Sequence, residues 1–86
     1  MKNMREFHTI KEFSFIARKE LFIVRFLDGT CLNVPVDHLP NKFQLKMARW
    51  DEADVSSDNE TLVVPLKGRR KLKIPAHILY ASGQII

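Results

Sequence analysis

The sequence predicts an α+β fold: a small, mainly antiparallel sheet of about five strands, one medium helix over about 41–50 and a short C-terminal helix. Three observations lead there. Apolar residues alternate on both sides of two turn signals, Asp28-Gly29 and Gly68. Phe43, Met47 and Trp50 recur at helical spacing behind Pro40-Asn41. The chain has 86 residues, room for one α+β domain over 1–86 with a thin core.

Taken in order, residues 8–17 carry two patterns. Phe7, Ile10 and Phe13 have helical spacing, while Phe13, Phe15 and Ala17 alternate; the aromatics favour a strand, turned by Arg18-Lys19-Glu20. Residues 21–27 form the clearest strand. Phe22, Val24 and Phe26 share one face, and Leu21, Ile23 and Leu27 share the other around Arg25, which predicts a central position. Asp28-Gly29 is a hairpin signal, and residues 30–36 return with Leu32, Val34 and Val36 on one face.

Asn41 is the expected N-cap of the medium helix, with Gln44 in capping-box position. Ser56-Ser57-Asp58-Asn59 reads as a turn. Residues 61–66 form a strand with Leu62, Val64 and Leu66 inward. Pro65, which has no N–H, places it at an edge or marks its end. After Gly68, Leu72 and Ile74 alternate with Lys71 and Lys73, giving an apolar inner face and a basic outer one. Pro75 opens a short helix over 76–81, which Gly83 ends. The two halves echo each other. Leu27-Asp28-Gly29 leads to Leu32-Asn33-Val34-Pro35 and Leu39; Leu66-Lys67-Gly68 leads to Leu72-Lys73-Ile74-Pro75 and Leu79, with one extra residue in the second turn. A duplication and a convergence of turn chemistry both produce such an echo.

Net charge is +4, and its layout matters more than its size. Asp51, Glu52, Asp54, Asp58 and Glu60 form a block without a base. Lys67, Arg69, Arg70, Lys71 and Lys73 form one without an acid, and no acidic side chain occurs from Thr61 to Ile86. Either the blocks are solvated loops that partly neutralise each other, or the second is a surface for an anionic partner. The longest charge-free apolar run, Leu21 to Val24, is too short for a membrane span. No apolar block follows Lys2 and Arg5, so no secretory signal is expected. Cys31 is the only cysteine, which fits a reducing, cytoplasmic setting.

The sequence offers no catalytic set, no metal site and no cofactor motif. None of His8, His38 and His77 lies within four residues of another histidine or of Cys31, so no local ligand pair exists. Cys31 has no neighbouring base; pairing it with His38 or His77 would need an orienting group and a pocket. Gly29, Gly68 and Gly83 are isolated turn formers, not a phosphate loop, and the acidic block lacks the central glycine of a calcium loop. The expectation is a non-enzymatic binding domain.

Phe26-Leu27-Asp28-Gly29-Thr30, Val34-Pro35-Val36, Leu39-Pro40 and Ala48-Arg49-Trp50 resemble the bacterial domain-of-unknown-function family 2442 over roughly residues 10–66. The resemblance implies a small α+β fold with no established activity, and, from the toxin–antitoxin-like genes beside some members, a regulatory role. After Gly68 the chain departs, with Arg69-Arg70-Lys71 where the family has an acidic stretch. Gly68-Arg69 with Ile74-Pro75 and Ile78 is similar to the hairpin of swapped-hairpin transition-state regulators that bind DNA, although the strands that follow in that fold have no counterpart before Ile86.

Two readings of function follow. One is nucleic-acid binding through Lys67, Arg69, Arg70, Lys71 and Lys73, a patch that also suits an acidic protein. No aromatic residue interleaves with that run to stack bases. The other is a protein-interaction module using Trp50, Asp51, Glu52 and Asp54, or a homo-oligomer through the proline-free strand edge of residues 9–17.

Overall fold

The computed structural model describes residues 8–85; Lys2, Arg5, Phe7 and Ile86 lie outside the described residues. Seven strands and one α-helix follow in the order β1 (Ile10–Ile16), β2 (Leu21–Phe26), β3 (Cys31–Pro35), β4 (Asp54–Val55), β5 (Thr61–Pro65), β6 (Lys71–Pro75), α1 (Ala76–Ser82) and β7 (Gln84–Ile85). Single 3-10 turns at Ala17–Lys19, Val36–His38, Asn41–Phe43 and Trp50–Glu52 fill the connections. All strand pairing is antiparallel, in two sheets ordered β1-β2-β3-β7 and β4-β5-β6.

Alternation of apolar and polar residues gives each sheet one greasy face, and burying both faces in one cluster is the economical solution. Ile10, Phe22, Val24, Phe26, Leu32 and Val34 from the first sheet join Leu62, Val64, Ile74 and Leu79 in a single hydrophobic core. Phe22 sits at its centre, fully buried, with ring centroids 4.8 Å from Phe15 and 6.0 Å from Trp50.

The echo in the sequence is an echo in register. Adding 40 to the numbers of the β2–β3 pairs Leu21↔Pro35, Phe22↔Val34 and Val24↔Leu32 gives the β5–β6 pairs Thr61↔Pro75, Leu62↔Ile74 and Val64↔Leu72. The same shift takes Ser14↔Ile23 and Phe15↔Phe22 to Asp54↔Val63 and Val55↔Leu62. It also maps the closing bonds: Phe26 N–H to the Thr30 carbonyl (2.8 Å) becomes Leu66 N–H to Arg70 (2.9 Å), and Val36 N–H to Glu20 (3.0 Å) becomes Ala76 N–H to Glu60 (2.8 Å). The two hairpin turns therefore have equal length, and the expected extra residue is absent. What differs is the placement of glycine: Gly29 (φ +92°) and Gly68 (φ +83°) sit one position apart within the same turn frame. Either place serves, because glycine alone enters that region without a Cβ penalty.

The structure corrects two further expectations. The single sheet of about five strands is two sheets, because each repeat closes its own three-stranded meander and the irregular segment between β3 and β4 separates them. The medium helix over 41–50 does not form. Two 3-10 turns stand there instead, and Asn41 makes no side-chain cap. Gln44 donates through Nε2 to the carbonyls of Leu39 and Asp37, not back to a helix start. Three apolar residues are too little amphipathic face to hold so short a helix, and the Arg49 N–H is bonded to the Pro65 carbonyl (2.9 Å), which draws the chain out along β5. Of the two places expected for Pro65, the strand end is the one observed: it closes the central strand β5 beyond the span of β4, so no ladder bond misses its N–H.

Candidate nucleic-acid interface

The basic block occupies the β5–β6 hairpin. Lys67 and Arg69 form its tip with Gly68, Arg70 closes it, and Lys71 and Lys73 follow on β6; all five are exposed. On β6 the ladder fixes their direction. Ile74 points into the core and Leu72 is half-buried against it, so Lys71 and Lys73 stand on the opposite, outer face.

The acidic block does not reach them. Among the described residues none of the five cations has a carboxylate within 4.0 Å; the ion pairs are Arg25–Glu12 and Arg49–Glu52, each at 3.9 Å. Asp54 shares the outer face with Lys73, but Val63 lies between them in register. Two strand spacings, about 9.5 Å, separate their backbones, and among the described residues no ion pair spans the gap. The acids are engaged locally instead. Asp54 Oδ1 accepts the Val55 N–H (2.8 Å), and Asp58 Oδ1 accepts the Ser56 hydroxyl (2.6 Å) and the Glu60 N–H (3.0 Å). They shape the β4–β5 connection.

The internal repeat supplies a control for the basic residues. Subtracting 40 from Lys67, Arg69, Arg70, Lys71 and Lys73 gives Leu27, Gly29, Thr30, Cys31 and Asn33. The equivalent positions of the first hairpin carry no cation, and its one basic residue, Arg25, stands on β2 and is paired with Glu12, so the fold does not demand five cations in the second.

The residues of the alternative reading are placed differently. Trp50 is half-buried and packs edge-on against Phe22, leaving Asp51, Glu52 and Asp54 as the exposed part of that group. Strand β1, expected to offer an edge, is the outer strand of its sheet.

A second polar cluster joins residues that sequence reasoning left apart. Asp28 Oδ1 accepts the Thr30 N–H (2.8 Å), and its Oδ2 accepts the Tyr80 hydroxyl (3.0 Å), which also lies 3.1 Å from Thr30 Oγ1. The His8 ring packs edge-on against Tyr80 at 4.9 Å and lies 6.3 Å from His77. The Asp28 carboxyl is held below its ordinary range, chiefly by the Thr30 backbone N–H. The Asp-Gly turn made Asp28 legible; its partner 52 residues away on α1 carried no sequence signal. Chemically the cluster is a tie between the β2–β3 turn and α1.

Cys31, half-buried, lines a shallow open depression of about 400 Å³ on the outer face of the first sheet, beside Glu12, Ser14, Ile23 and Arg25. Among the described residues, no hydrogen bond joins it to His38 or His77, and no group of three His, Cys, Asp or Glu side chains is placed to hold a metal ion. No helix of the described residues is long and apolar enough to cross a membrane. Compared with known proteins, the chain matches no family model, no curated protein and no solved structure.

Proposed function

We propose that this protein is a non-catalytic nucleic-acid-binding regulator that grips phosphates with the β5–β6 hairpin, through Lys67, Arg69, Arg70, Lys71 and Lys73. The observation that carries the reading is the contrast between the two repeats: one frame, with five cations in the second hairpin, unpaired among the described residues, at positions where the first has none, its single Arg25 being paired with Glu12. Arg69 and Arg70 at the tip offer planar forks for bidentate phosphate contacts, while Lys71 and Lys73 extend the patch along one face.

The patch contains no aromatic side chain, so the contacts it makes are to backbone and carry little sequence preference. Affinity from at most five phosphate contacts is modest, on the order of 10⁻⁴ M or weaker at physiological salt. The test is binding of duplex and single-stranded oligonucleotides at low salt by the wild type and by a variant with Arg69, Arg70, Lys71 and Lys73 all changed to Ala. The reading expects binding by the wild type and a loss of at least tenfold in the variant. Equal binding by both, or none by either, removes the hairpin as a nucleic-acid site.

A further inference from the structure

The repeat also exposes an asymmetry at the sheet edges. In the first sheet the outer edge of β3 is covered by β7, whose Gln84 stands opposite Asn33 and Ile85 opposite Leu32. Adding 40 to Asn33 gives Lys73 on β6, and subtracting 40 from Gln84 and Ile85 gives Gln44 and Leu45, the residues that would cover β6 if the two halves were alike. They do not: β6 ends its sheet, and among the described residues no backbone group bonds to its outer side.

The sequence explains the difference. β7 can lie on β3 because Gly83 crosses directly over that strand; a Cβ there would stand 2.9 Å from Leu32 Cβ and 3.0 Å from Val34 Cγ2. Forty residues earlier the same place is taken by Phe43, a buried ring that cannot pass so close to a strand. Pro40 stands where α1 has Tyr80, and proline inside a helix breaks it. The first repeat therefore never delivers its segment to β6.

We propose that the bare edge of β6 takes up an extended acidic peptide of a partner protein as an added antiparallel strand, in the place that β7 occupies on β3. The ladder bonds at Leu66/Arg70 and Glu60/Ala76 fix the alternation, so Leu72 and Ile74 bond inward to β5 while the N–H and C=O groups of Lys71 and Lys73 point outward. Pro75 has no N–H, which limits the pairing to about this stretch. Side chains of the added strand directly opposite Lys71 and Lys73 would lie within cross-strand reach, so carboxylates at alternating positions are favoured, with an apolar residue between them beside Leu72. A second copy of β6 is the wrong occupant, since antiparallel self-pairing centred on Leu72 sets Lys71 against Lys73. Main-chain bonds with side-chain selection at every second residue are how added strands are recognised elsewhere. The inference stands apart from the nucleic-acid reading, although both ligands would compete for Lys71 and Lys73.

The experiment uses a capped peptide of about six alternating glutamate and valine residues, and a control of the same composition with the glutamates grouped together. Residue-resolved amide exchange is followed on the whole protein. In the free protein the Leu72 and Ile74 amides should be protected and those of Lys71 and Lys73 should exchange freely. Saturating alternating peptide should slow Lys71 and Lys73 by about tenfold or more and leave Leu72 and Ile74 unchanged. Lys73→Pro, which removes an outward N–H and no ladder bond, should abolish peptide binding, whereas Lys73→Gln should weaken it only a few-fold; both should lower oligonucleotide affinity alike. If Lys73→Pro does not fold, the wild-type exchange pattern and Lys73→Gln decide. No binding of the peptide, equal binding of the grouped control, binding without protection of Lys71 and Lys73, or self-association that protects them without peptide each overturns the proposal.

Discussion

At the scale of single residues, Asp28 and Tyr80 do the long-range work that local sequence signals could not announce. Asp28 spends one carboxylate oxygen on its own turn and the other on α1. Its pKa is lowered chiefly by the Thr30 backbone N–H; desolvation opposes this, and the hydroxyls of Thr30 and Tyr80 and the nearby charge of His8 add smaller lowering effects. A carboxyl whose folded pKa is depressed stabilises the fold above its unfolded value, about 3.9, and that contribution is lost as pH falls through the lower folded value. Wild type and Asp28→Asn should therefore differ more in unfolding free energy at pH 7 than at pH 2, by a small amount, because Asp28 is exposed and screened. Denaturant titrations at the two pH values check this; a difference that does not change with pH would show that the charge of Asp28 plays no part in the tie. The contrast of Gly83 with Phe43 belongs to the same scale, since one side chain decides whether a strand edge is covered.

At the scale of elements, the sequence was most legible where the pattern was local and two-sided. Strand β2, the hairpin at Gly29, the basic outer face of β6 and the helix behind Pro75 all follow from alternation and turn chemistry over a few residues. The segment between β3 and β4 misled, because Phe43, Met47 and Trp50 are spaced as a helix but are used one at a time. Phe43 is buried, Trp50 packs on Phe22 from a separate turn, and Met47 is 50% exposed. The outcome depends on the Arg49 bond to Pro65 across the fold, which no local window contains. Phe43→Ala should accordingly cost about 3–5 kcal/mol, and Met47→Ala should stay within about 0.5 kcal/mol. Thermal melts of the two variants check the pair. Comparable losses would mean that residues 43–50 bury one continuous apolar face after all.

At the scale of the whole molecule, two copies of one 40-residue frame share a single core and differ in what they present to solvent. The charge blocks were legible from composition, but whether they quench each other was not, because that depends on Val63 standing between Asp54 and Lys73. Nor could the sequence give the free edge of β6, which is a consequence of chain routing. The central claim is that the second hairpin is a phosphate-binding surface, and counterion release tests it most directly. The measurement is oligonucleotide affinity as a function of salt, for the wild type and for the Arg69→Ala, Arg70→Ala double variant. If all five cations engage a duplex, log K against log salt should fall with a slope of about −4.5, and the double variant should be shallower by about 1.8, since each contact contributes about 0.9. A wild-type slope near zero, or the same slope in both proteins, would contradict the account.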